Sequence, residues 1–125
     1  MRRHTETTLV RTPEAARQAR RIVAEACADW RLDGLESDAE IVATELVENT
    51  LKHTRSIPRL RLVLRDGALT VAVSDDDSAA VRVREEESER DRGFGMLVIS
   101  RIARVWGCTW ARAGKTVWAV LPTRP

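Results

Sequence analysis

Residues 59–75 read RLRLVLRDGALTVAVSD. From Arg59 to Arg65 polar and apolar residues alternate, the period of a strand with one buried face. Asp66-Gly67 is a strong hairpin signal, since tight primed turns need residues that accept positive φ. Beyond it Leu69, Val71 and Val73 recur at every second position, with Thr70, Ala72 and Ser74 between them. The spacing predicts an antiparallel hairpin whose leucines and valines face a layer of helices. Asp75 shares the parity of Leu69, Val71 and Val73, so it points toward that layer. A carboxylate is costly there unless it is paired.

On the N-terminal side, Thr12-Pro13 reads as a helix start, with Thr as cap and Pro at the first helical position. Ala15, Ala19, Ile22, Ala26 and Trp30 follow at helical spacing, with Val23 and Cys27 beside them, up to about Arg31. Ser37 and Glu40 have the capping-box spacing, which predicts a second helix from about Asp38 to His53. Its buried face centres on Ala39, Val42, Ala43 and Leu46. Residues 7–10, TTLV, suit a short edge strand.

On the C-terminal side, residues 82–92 carry four Arg and five acids with almost nothing to bury, the composition of a solvated loop. GFGMLVI, residues 93–99, opens a helix that uses Leu97, Val98, Ile102 and Trp106, with Gly107 as its C-terminal cap. Cys108 to Leu121 forms a last hairpin around Ala113-Gly114. Val117, Ala119 and Leu121 fall on one face, and Thr116, Trp118 and Val120 on the other. Trp110 and Trp118 are placed to pair across it. Helices gathered on one face of a mixed, mostly antiparallel sheet make an α+β fold, a two-layer α/β sandwich. With 125 residues this is one domain, 1–125.

Composition narrows the function. Charged residues are 32% and the formal charge is only +2, so a dedicated nucleic-acid binder is not indicated, despite the basic edge of Arg59, Arg61 and Arg65. Cys27 and Cys108 lie far apart and outside any CxxC pattern, which points away from a metal or disulfide framework. Cys27 sits on an apolar helical stripe as a small hydrophobe. The absence of a leader and of an apolar run of membrane-spanning length suits a cytoplasmic, reduced protein.

Four places offer chemistry. In ELVENTLKH, residues 45–53, Glu45 and Asn49 are one helical turn apart at the margin of the apolar stripe. An Asn carbonyl oxygen there can hold a hydrated cation, and a Glu one turn away can take a proton from a nucleophile. Equally, both suit the exposed side of an amphipathic helix. Asp75 wants a donor, and an exocyclic amine of a purine would serve, unless the strand has ended and Asp75 opens a turn with Asp76, Asp77 and Ser78. Gly93 and Gly95 would let phosphate oxygens approach the free N–H groups of a helix start, with the charged loop as a lid, or they simply join a loop to a helix. Thr116, after Lys115, offers a hydroxyl to a ligand or to Asp75, or is a turn residue that favours strand.

The order of these segments resembles a known family. ELVENTLKH, the VAVSD strand end, GFGM after a lid-like loop and GKTVW near the C-terminus look like the GHKL (Bergerat-type) nucleotide-binding superfamily. The short length and the opening ARRIVAEACADWRL resemble its single-domain bacterial anti-sigma factor serine kinases. The likeness runs from about Pro13 to Leu121. It implies ATP and Mg²⁺ as cofactors, Asn49 as the metal ligand, Glu45 as general base and Asp75 as the acceptor for the adenine amine. It places the GFGM segment, Gly93, Phe94, Gly95 and Met96, in the cofactor site, with the two glycines beside the phosphates, and Thr116 near the adenine. His53 would support the site. Asp77 stands where the family has Gly or Ser, and Thr50 where a small Ala is usual. The implied activity is serine phosphorylation of an anti-anti-sigma protein, with a sigma factor as the other partner. Relatives of this kind often form homodimers, and no residue here decides that. The alternative is a non-catalytic module that holds a sigma factor or its antagonist, which the extra carboxylate at Asp77 favours.

Overall fold

A computed structural model describes residues 2–76 and 93–123. The chain runs through strand β1 (Arg2–Thr8), helix α1 (Ala15–Asp29), a short 3-10 turn (Asp33–Leu35) and helix α2 (Glu36–His53). Strands β2 (Arg59–Arg65) and β3 (Ala68–Asp75) follow, then helix α3 (Gly93–Ile102) and strands β4 (Val105–Ala111) and β5 (Gly114–Pro122). The strands form one sheet in the order β1-β2-β3-β5-β4, with every neighbouring pair antiparallel. The helices pack on one face, giving the expected two-layer α+β sandwich.

The hairpin of residues 59–75 forms as its alternation predicts. Arg65 pairs with Ala68, and between them Asp66 and Gly67 both take positive φ, 51° and 74°. That is the primed turn whose twist matches the flanking strands. Leu60, Leu62, Leu69, Val71 and Val73 are buried, joined by Val117, Ala119 and Leu121 of β5. Against them lie Ala39, Val42, Ala43, Leu46 and Val47 of α2, Ala19, Val23 and Cys27 of α1, and Ile99 of α3. The alanines leave α1 and α2 free to approach closely. Helix α2 is the hub: it packs against α1, α3, β3 and β5.

Several boundaries differ from expectation. Strand β1 is polar, RRHTETT, and starts five residues earlier than the apolar pattern suggested. It owes its existence to pairing with β2 rather than to its own residues. Helix α1 begins at Ala15 without a side-chain cap. Thr12 still helps, since its hydroxyl accepts from the Glu14 N–H (3.2 Å) and its carbonyl from the Ala15 N–H (3.0 Å). The Ser37 capping box is not made, because the 3-10 turn runs straight into α2, which starts at Glu36.

Helix α3 stops at Ile102, short of Trp106. The Arg104 N–H donates to the Val120 carbonyl (2.8 Å), so β5 has already captured the chain. The side of α3 turned to the core carries Met96, Ile99 and Ile102, whereas Leu97 is 47% exposed. Trp106 and Gly107 lie in β4. Gly107 is therefore no helix cap. It faces Trp118, and a Cβ at 107 would come within 2.7 Å of the indole. Trp118 pairs with Gly107 rather than with Trp110, and its Nε1–H donates to Thr109 (3.2 Å).

Candidate functional site

Glu45 and Asn49 sit one turn apart on α2, both half-buried. Burial pushes the Glu45 carboxyl above the usual carboxylate range, and the neighbouring charge of Glu48 adds to it. A carboxylate tuned upward takes a proton more readily. The Asn49 side-chain nitrogen is enclosed, with no hydrogen-bond partner among the described residues. Buried amide groups rarely stay unsatisfied, and such an atom asks for an external partner. Thr50 is buried and donates its hydroxyl to the Leu46 carbonyl (3.2 Å).

The C-terminal end of α2 is held firmly. The Thr54 hydroxyl donates to the Thr50 carbonyl (2.8 Å), and the Arg11 guanidinium donates to the carbonyls of Thr54 (2.5 Å) and Leu51 (3.3 Å). These bonds satisfy carbonyls that a helix end leaves open. Asn49 and His53 thus ride on an anchored turn.

Asp75 remains in β3 and points inward, 4% exposed, as its parity demands. Its partner comes from the protein. Lys115, the residue opposite it on β5, is 2% exposed and places Nζ 2.5 Å from the Asp75 Oδ2. Gly114 makes this possible, since a Cβ there would collide with the Asp75 carbonyl and lie 3.0 Å from Oδ1. Asp76, the next residue, is exposed and bound elsewhere: its N–H to Ser56 Oγ (2.7 Å) and its carboxylate to Arg59 (2.6 Å).

Thr116 does not join Asp75. Side chains alternate across a strand, so Thr116 faces the open side of the sheet, where its hydroxyl meets Ser74 Oγ at 2.8 Å. It lines a shallow groove of about 450 Å³ there, with Arg61, Thr70, Ala72 and Trp118. The residue of β5 whose side chain reaches Asp75 is Lys115, the neighbour of Thr116. The inward parity of Val117, Ala119 and Leu121 already carried that signal, because Lys115 shares it.

Gly93, Phe94, Gly95 and Met96 form the first turn of α3, where backbone N–H groups have no intrahelical acceptor. Met96 packs on the core. Asp77, Ser78 and the charged loop 82–92 lie outside the described residues. The elements that carry Asn49, Asp75 and the α3 start all pack on α2 or are α2 itself.

A family model for the histidine kinase-like ATPase domain matches residues 9–121. The chain belongs to this family. Among curated proteins none matches it. The histidine kinase-like ATPase domain is an ATP-binding unit, and here it accounts for nearly the whole chain. On α2, Glu45 is half-buried and the enclosed side-chain nitrogen of Asn49 lacks a partner among the described residues. On β3, the Asp75 carboxylate is engaged by Lys115. No helix among the described residues is long and apolar enough to cross a membrane.

Proposed function

We propose that this domain is an anti-sigma-type regulator that binds ATP with Mg²⁺ and phosphorylates a serine of an anti-anti-sigma antagonist, thereby releasing or retaining a sigma factor. The observation that carries this is on α2: Glu45, its carboxyl raised by burial, lies one turn from Asn49, whose enclosed side-chain nitrogen has no partner among the described residues. Asn49 would hold the metal through its side-chain oxygen, and the N–H groups at Gly93 to Met96 would hold the phosphates. When bound, ATP supplies the phosphoryl group and Mg²⁺ offsets its charge. Glu45 would accept the proton of the serine hydroxyl as that oxygen bonded to phosphorus and the bond to the ADP oxygen broke. Catalysis of this kind is mostly positioning and charge stabilisation. The anchored C-terminal turn of α2 serves positioning.

Mg-ATP titration by calorimetry tests the binding half. Wild type should bind in the micromolar to submillimolar range, and Asn49→Ala should lose most of that heat. Labelled ATP and a candidate antagonist test the transfer half, which should vanish in Glu45→Ala. Absence of heat with both proteins would overturn the ATP-dependent reading.

The non-catalytic module is favoured by one observation, the engagement of Asp75 by Lys115. In that case a partner is captured equally with and without nucleotide, and no phosphate is transferred.

A further inference from the structure

The Asp75–Lys115 pair has a consequence for how a base could bind. This inference rests on the reading of Asp75 as the acceptor of a purine amine. Both side chains are sealed, at 1% and 0% exposure, and they face each other across the β3–β5 ladder. A carboxylate in that condition has no free charge to present. An exocyclic amine that binds at Oδ2 would take the place of the Lys115 ammonium there. Two features make such an exchange feasible. Lysine is a point charge on a flexible four-carbon stem, able to leave without dragging the backbone. Lys115 is also the second residue of β5, just after the Arg112-Ala113 turn that leads into the strand, so it sits at the end of the β3–β5 ladder rather than in its middle.

We propose that Lys115 is an intramolecular competitor for the base, a residue that sets nucleotide affinity by occupying Asp75 when no nucleotide is bound. The cost of leaving Asp75 unpaired would otherwise fall on the free protein, because a buried ion that loses its partner is strongly destabilising. Lys115 removes that cost, and the same bond then opposes ligand entry. Binding becomes an exchange of one N–H donor for another at Oδ2, with the ammonium released toward solvent. A ligand whose base has a carbonyl in place of the amine cannot complete the exchange and is rejected. Affinity is thereby held below what an unengaged Asp75 would give.

The test compares Mg-ATP binding by calorimetry in wild type, Lys115→Met and the double variant Asp75→Asn/Lys115→Met. Methionine keeps the length of the side chain without its charge. We expect Lys115→Met to bind at least tenfold more tightly, and the double variant to lose that gain. A folded Lys115→Met that binds equally or more weakly overturns the proposal. Should Lys115→Met fail to fold, wild type decides through amine-reactive labelling read by mass spectrometry. Lys115 should be protected in the free protein and become reactive at saturating Mg-ATP. Continued protection with ATP demonstrably bound sinks the exchange while leaving the ATP-binding reading intact. No heat in any of the three proteins overturns both.

Discussion

Two neighbouring rungs of the β3–β5 ladder put opposite demands on the same pair of strands. Ser74 and Thr116 meet on the open face as half-buried hydroxyls, 2.8 Å apart. Asp75 and Lys115, one residue further along, meet on the helix face as a sealed ion pair. Backbone, strand twist and neighbours are almost identical. What differs is the medium on each side. A hydroxyl pair at the margin of water exchanges one set of hydrogen bonds for another and gains little. A charged pair in the interior must be complete, since either member alone is costly. A one-residue step along a strand thus separates a tolerant position from an unforgiving one.

The contrast can be broken most forcefully at Asp75. Asp75→Ala leaves the Lys115 ammonium buried without its partner carboxylate and should cost about 3–5 kcal/mol in denaturant unfolding. Replacing both residues by apolar ones of similar size should recover most of that loss. A cost near zero for Asp75→Ala would mean that the pair is not sealed in solution. Thr116→Val probes the other rung. It should lose about 0.5–1.5 kcal/mol and leave Mg-ATP affinity unchanged, because its hydroxyl faces away from Asp75. A large loss of ATP binding in Thr116→Val would return that residue to the site.

The smallest expected effect concerns Glu45, on the helix across from this ladder. Its carboxyl is raised by burial first and Glu48 second, so the fold favours the protonated form. The associated stability is fully present below the ordinary carboxylate pKa and is lost as pH rises through the raised value. Glu45→Gln should therefore be more stable than wild type at neutral pH, by less than about 1 kcal/mol for so partly exposed a group. The gain should disappear in acid, which thermal unfolding between acid and neutral pH would check. Equal stability of the two proteins at every pH would deny the raised carboxyl.

The hairpin of residues 59–75 was legible because strict alternation, an Asp-Gly turn and a one-sided core all agree there. The same period-two rule put Asp75 inside. Applied to β5 it also puts Lys115 inside, opposite Asp75, and Thr116 on the open face, opposite Ser74. Farther along, the apolar run after Gly93 suits one long helix through Trp106. Local residues do not mark its end, since Ala103 and Arg104 both tolerate helix. The end is set by a backbone bond to Val120. Strand β1 is faint in the sequence for a related reason, since a polar edge strand carries little pattern of its own and forms through the hydrogen bonds its neighbour offers. On α2 the spacing of Glu45 and Asn49 was plain, while the enclosed Asn49 nitrogen needed the packed structure to appear.

Periodicity, turn chemistry and residue spacing sufficed for the α+β sandwich, the facing of each strand of the central hairpin and the candidate residues on α2, because these depend on neighbours a few positions away along the chain. The partner of Asp75, the end of α3 and the seat of Trp118 over Gly107 depend on residues 11 to 40 positions apart. Those pairings were settled by which strands lie side by side and by the demand that every buried charge and backbone group find a partner.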